Sequence, residues 1–245
     1  AKSMPADAVM QTHSPASCLT EYPRAMKKIH TPTEGPESWR RLLADPVKHW
    51  RTGYSARTLA YCWEAADGLP PEVANLFPGQ AELLLALPEH KTPLPGGQRE
   101  TQCDVFALIN SDGETYAVAI EGKVDEPFGP TLDEWLVNAS PGKLKRLSAI
   151  RALLGLPENL PGAIRYQLLH RTAAAAIEAE RFKTDHAAMI VHSFSPERRW
   201  FADYAEFCAL LGIEALADTP ASHSLPGGRT LLLGWATGEP EFLER

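Results

Sequence analysis

Several things are scarce or missing in this sequence, and each absence narrows what the chain can be. Cysteine is sparse. The four residues Cys18, Cys62, Cys103 and Cys208 lie far apart, form no CxxC pair and mostly sit in apolar patterns such as Tyr61-Cys62-Trp63. That spacing excludes a disulfide framework or a thiolate metal site and fits reduced, buried thiols. No stretch approaches the roughly 18 uninterrupted apolar residues of a membrane-spanning helix; the run over residues 81–87 is far shorter. Positive charge is not in excess. With 31 acids against 24 Lys and Arg, the net charge is −7, which excludes a globally cationic surface, so any nucleic-acid contact must be local. Glycine-rich phosphate loops, GxSxG elbows and clustered Cys/His sets are absent, which weakens a reading as a small-molecule enzyme. The N-terminal segment carries Lys2, Lys27 and Lys28 but lacks the apolar segment of about 7–15 residues of a secretory signal, so a cytoplasmic protein is expected.

What is present is an ordinary globular composition, 44% hydrophobic and 22% charged over 245 residues, enough for one sizeable core. Residues 1–36 are rich in Pro, Ser, Thr and His without periodicity and read as a flexible arm. Residues 37–245 read as a single domain. A short helix is expected at residues 38–43, then a longer one with Ser55 as N-cap and Leu59, Trp63 and Ala66 at helical spacing until Gly68. Strands are expected at residues 82–87, 102–109 and 116–120, the last two joined by the turn Asn110-Ser111-Asp112-Gly113, which makes a meander. A basic amphipathic helix with Leu144, Leu147, Ile150 and Leu154 on one side follows and ends near Gly155. An alanine-rich helix over residues 163–182, a central strand at 188–194, a helix at 203–211 and a strand at 230–235 complete the order. This is an α/β fold with a small mixed sheet flanked by helices.

One constellation carries chemistry. Asp104 lies in the second expected strand between apolar neighbours, where an unpaired charge is costly. On the third, Val118-Ala119-Ile120 leads into Glu121-Gly122-Lys123, and the period of two puts Glu121 and Lys123 on one face. Hairpin pairing turns that face toward Asp104. Two converging carboxylates repel unless a cation lies between them, and hard oxygen ligands suit Mg²⁺ or Mn²⁺. Such an ion can acidify a water and polarise a phosphoryl oxygen while Lys123 stabilises developing charge. Gly122 leaves room for substrate or for its carbonyl to approach the metal. The same three residues also admit a structural ion pair at a sheet end. A second triplet, Glu89-His90-Lys91, follows Pro88 with no strand-borne acid upstream, and is set aside.

Asp104, a gap of 16 residues and Glu121-Gly122-Lys123 resemble the PD-(D/E)xK signature of restriction-endonuclease-like proteins, with Cys103 in the place of the proline. The order of helix, three-strand meander, helix and strand over about residues 55–195 is similar to the αβββαβ core of that superfamily. The resemblance implies an Mg²⁺- or Mn²⁺-dependent nuclease acting on nucleic acid, DNA ahead of RNA, and is compatible with a homodimer that cuts both strands. It implies Asp104 and Glu121 as metal ligands, Lys123 as the catalytic cation and Glu64, on the first core helix, as a further metal ligand. A Gln-x-x-x-Tyr motif found in some members matches Gln167, with Arg171 in place of the tyrosine. Gln167, His170 and Arg171 share one helical face. Lys143, Lys145 and Arg146 read as a solvated face or phosphate contacts, His192 as a satisfied core histidine, and Asp125 and Glu126 as loop acids. A noncatalytic binding module of the same fold is the competing reading, and the negative net charge suits it.

Overall fold

The apolar runs of the sequence pair into one mixed sheet in the computed structural model, which describes residues 33–245. The chain enters through a 3-10 helix at Pro36–Leu42, followed by α1 (Pro46–His49), α2 (Ser55–Ala65) and α3 (Pro71–Ala74). Next come β1 (Ala81–Pro88), the short β2 (Lys91–Thr92) and β3 (Thr101–Gln102), β4 (Val105–Ser111) and β5 (Glu114–Lys123). The remainder runs α4 (Leu132–Leu136), α5 (Pro141–Leu154), α6 (Tyr166–Phe182), β6 (His186–Ser193), α7 (Phe201–Leu210), β7 (Ala221–Ser224), β8 (Thr230–Thr237) and a 3-10 turn at Pro240–Glu244. Most of the expected arm, including Cys18, lies outside the described residues.

The six-stranded sheet has the order β1-β4-β5-β6-β8-β7. The strands β1, β4 and β5 form the expected antiparallel meander, β5, β6 and β8 run parallel, and β7 is an antiparallel edge. The fold is therefore α/β with a mixed sheet flanked by helices. Asp112 and Gly113, both at positive φ (51° and 87°), close the β4–β5 hairpin in the conformation that two-residue loops favour. Both faces of the central strands are covered, which is why they read as apolar runs without alternation. On one face Val118, Ile120, Ala188 and Ile190 meet Leu59 and Trp63 of α2. On the other, Ala117, Ala119, Met189 and Val191 meet the small Ala173, Ala175, Ala176 and Ala179 of α6. No helix among the described residues is long and apolar enough to cross a membrane.

Four expectations need correction. Asp104 is not inside a strand: with Cys103 it links β3 to β4. Ser55 is the first residue of α2 and not its cap; Tyr54 holds that position without a side-chain bond, and the Glu126 carboxylate accepts the Ser55 N–H instead (3.2 Å). In α5 the buried residues are Arg146, Ile150 and Leu154, and Leu144 is exposed. Arg146 turns inward because it donates to the carbonyls of Pro95 (3.0 Å) and Arg99 (2.6 Å), anchoring the loop between β2 and β3. The alanine-rich helix starts at Tyr166, three residues later than its composition suggests.

Candidate active-site cleft

Three backbone segments bring the charged residues together. β5 ends in Glu121-Gly122-Lys123, with Glu121 and Lys123 on the α6 side of the sheet and Gly122 on the α2 side, as the alternation of β5 requires. The β1–β4 ladder ends at Pro88 opposite Val105, and the β2–β3 ladder pairs Lys91 with Gln102. One register serves both ladders, so Glu89 falls opposite Asp104 and His90 opposite Cys103. Backbone bonds from Glu89 N–H to the Asp104 carbonyl (2.9 Å) and from Cys103 N–H to the His90 carbonyl (3.0 Å) confirm it. Buried Glu178 of α6 fastens the far side by accepting from His90 Nε2 (3.1 Å) and the Thr92 hydroxyl (2.8 Å).

Glu121 is the hub. Its Oε1 accepts from Lys123 Nζ (2.7 Å) and Gln167 Nε2 (2.7 Å), and its Oε2 from Arg171 Nε (2.5 Å). Burial alone would raise its carboxyl, but the Arg171 guanidinium and the Lys123 ammonium outweigh that and hold it well below the ordinary value. Arg171 also donates to the Thr101 hydroxyl (2.6 Å), which is 2.7 Å from His170 Nδ1. Burial, then Arg171, pushes His170 down to about 3, so the ring is neutral and its Nδ1 can accept a hydrogen bond from the Thr101 hydroxyl. Lys123 lies 5.0 Å from the centre of the Phe128 ring, a cation–π contact.

Asp104 and Glu89 differ from Glu121. Asp104 accepts the Gly122 N–H at 2.7 Å, and Glu89 accepts the Gln102 amide at 2.6 Å. Among the described residues neither forms an ion pair. Burial and then the Glu121 charge raise Asp104 to about 7, and burial and then the Asp104 charge raise Glu89 to about 8. A cleft of about 580 Å³ opens over this cluster, lined by Glu89, Asp104, Glu121, Lys123, Gln167 and Arg171, with Ser55, Glu126 and Lys48 among its other walls. Among the described residues the buried carbonyl oxygen of Gln167 has no hydrogen-bond donor.

The structure thus brings Asp104, Glu121, Lys123 and Gln167 into one cleft and leaves Glu64 out. Glu64 accepts the Trp39 indole N–H at 2.8 Å, near the end of α2 remote from the cleft, whose lining includes Ser55 and Ala56 at the helix start. Gly122 does not open onto the cleft either, since a Cβ there would meet Leu59 at 3.2 Å. Its contribution is the N–H given to Asp104. Lys143 donates to the Trp135 carbonyl. Asp125 pairs with Arg199 (3.3 Å), whereas Glu126 reaches the cleft wall. Sequence reasoning missed Glu89. In the sequence it stands only at the start of the triplet that is set aside, and the signal that places it is its strand register with Asp104.

A second polar cluster lies on the α2 side, where Cys62, Glu72 and His192 hold their ligating atoms within 4.8 Å of one another. The Trp63 indole can only donate, and it points at His192 Nδ1 (3.3 Å). The proton of the neutral ring is therefore on Nε2, 2.8 Å from Glu72, and the Cys62 thiol also meets Glu72 (3.6 Å). Hydrogen bonding accounts for this cluster without an ion, as expected of a satisfied core histidine. The free Cys62, Cys103 and Cys208 are buried.

The chain belongs to the family described as a domain of unknown function (DUF6946), which matches residues 32–240. No curated protein and no solved structure matches it.

Proposed function

We propose that this protein is a metal-dependent nuclease of the PD-(D/E)xK kind, hydrolysing phosphodiester bonds of nucleic acid, DNA ahead of RNA, with Mg²⁺ or Mn²⁺. The observation that carries the reading is the convergence of Asp104, Glu121 and Lys123 in one open cleft from a meander followed by a helix and a parallel strand. That order supports the αβββαβ core that the resemblance implies.

The donor set fits a hard divalent ion. Asp104 and Glu121 offer carboxylate oxygens, the type Mg²⁺ and Mn²⁺ take, and among the described residues Glu121 Oε2 has Arg171 as its one partner, leaving it a lone pair. Gln167 Oε1 is an orphaned acceptor suited to a water. A bound ion would supply Lewis acidity and acidify a water. Lys123 presents an ammonium to the charge that grows on the phosphoryl oxygens, a role in which one such donor contributes about 10²–10³-fold in rate. Arg171 and Gln167 fix the Glu121 carboxylate, and through it Lys123, in one geometry. Gln167 Oε1 is placed to accept a hydrogen bond from a water in the cleft.

The competing reading, a noncatalytic module that binds a protein or nucleic-acid partner, draws on the net charge of −7 and on the three donors that already occupy Glu121. Plasmid nicking with Mg²⁺ separates the two. Nicking is expected from the wild type, with a loss of at least about 10²-fold in folded Lys123→Ala; no nicking or RNA cleavage by the wild type under any divalent ion leaves only the binding module.

A further inference from the structure

We infer that Glu89 is the third carboxylate of the ion site, in the place that the resemblance assigns to Glu64; the inference rests on the ion-binding reading above. Three observations carry it. First, the register shared by the β1–β4 and β2–β3 ladders sets Glu89 directly across from Asp104, and like charges facing each other on antiparallel strands destabilise a sheet. Neither acid has a cationic partner among the described residues, whereas Glu121 has two. A cation between them answers the repulsion. Second, Glu89 sits in the left-handed region at φ 54°, where glycine, asparagine and aspartate are the usual residues. The strained residue lies in the short link between two paired segments, the setting in which strain persists because neighbours over-determine it. His90, fastened to Glu178, and Pro88, paired with Val105, hold it on both sides. Third, the Gln102 amide bonds one carboxylate oxygen of Glu89 at 2.6 Å while both side chains line the cleft. That is how an outer partner orients an ion ligand. Glu64, by contrast, does not line the cleft, and its carboxylate accepts the Trp39 indole N–H.

The test is calorimetric titration of Mn²⁺ into the full chain, comparing wild type with Glu89→Gln, Asp104→Asn and Glu64→Gln, alongside the melting temperature of each metal-free protein. Glu89→Gln is expected to weaken Mn²⁺ binding at least about tenfold, as Asp104→Asn does, and to raise the metal-free melting temperature above about pH 8, where both facing acids are ionised and the substitution removes one of the two charges. Glu64→Gln is expected to bind as the wild type. Glu89→Asp, which keeps the charge but retracts it, should lose less than Glu89→Gln and serves if the latter fails to fold. Wild-type affinity in both Glu89 variants, with Asp104→Asn impaired, overturns the role of Glu89 and leaves the ion site standing. No Mn²⁺ binding by the wild type overturns both.

Discussion

Two polar clusters lie back to back on this sheet, at adjacent residues of the same strand pair. In the β5–β6 register Glu121 is opposite Val191 and Gly122 opposite His192, so strand alternation sends Glu121 toward α6 and His192 toward α2. The His192 side closes on itself: Trp63, His192, Glu72 and Cys62 form one chain in which each buried group has a partner. The Glu121 side is half closed. Glu121 is held by three donors, while Asp104 and Glu89 line the open cleft and, among the described residues, form no ion pair. The contrast teaches that burial of charge does not by itself mark function. A complete hydrogen-bond network explains one cluster as scaffold, and the incompleteness of the other is where the proposed ion would bind.

The comparison can be broken or sharpened by experiment, beginning with the largest effect. Removing the hub with Glu121→Ala leaves Arg171 and Lys123 buried and unpaired, and urea denaturation is expected to show a loss of about 3–5 kcal/mol. A loss under 1 kcal/mol would mean that the cations relax to solvent. On the closed side, Trp63→Phe removes the donor to His192 Nδ1, for an expected cost of about 1–3 kcal/mol with unchanged Mn²⁺ affinity. A fall in affinity there would contradict the division of labour. pH gives a smaller, signed effect. Asp104 and Glu89 titrate higher in the folded protein (about 7 and 8) than in the unfolded chain, where carboxyls titrate near 4. Between about 6.5 and 8 the folded state holds the extra protons, so metal-free stability should fall as pH rises through that window; below it His170, held down to about 3 in the fold, binds its proton more readily in the unfolded chain and offsets one of the two carboxyls. Melting curves in EDTA should show that slope, and saturating Mg²⁺ should remove it. A rising slope in EDTA would reverse the assignment.

Much of this arrangement is legible in the sequence, and the misses share a cause. The Asp112-Gly113 turn and the apolar runs of β4 and β5 fix a hairpin, and from it the common face of Glu121 and Lys123 follows by counting. The helical spacing of Gln167 and Arg171 likewise puts both on the side that meets Glu121. What counting along one segment cannot show is which distant segment lies alongside. Glu89 meets Asp104 through ladder pairing across the loop between β2 and β3, and that register is set by tertiary contacts such as His90 with Glu178 and Arg146 with the loop carbonyls. Glu64 fails for the complementary reason. Its place on α2 was right, but α2 directs its first turn and not its last toward the cleft, and Trp39, on the preceding 3-10 helix, takes the carboxylate.

The most direct test of the central claim, that the cleft and not the histidine cluster holds a divalent ion, is a crystal soaked in Mn²⁺ and measured at an anomalous wavelength. The account predicts a peak bonded to Asp104 and Glu121, with Glu89 beside it, and none between Cys62, Glu72 and His192. A peak at the histidine cluster with an empty acidic cleft would contradict it.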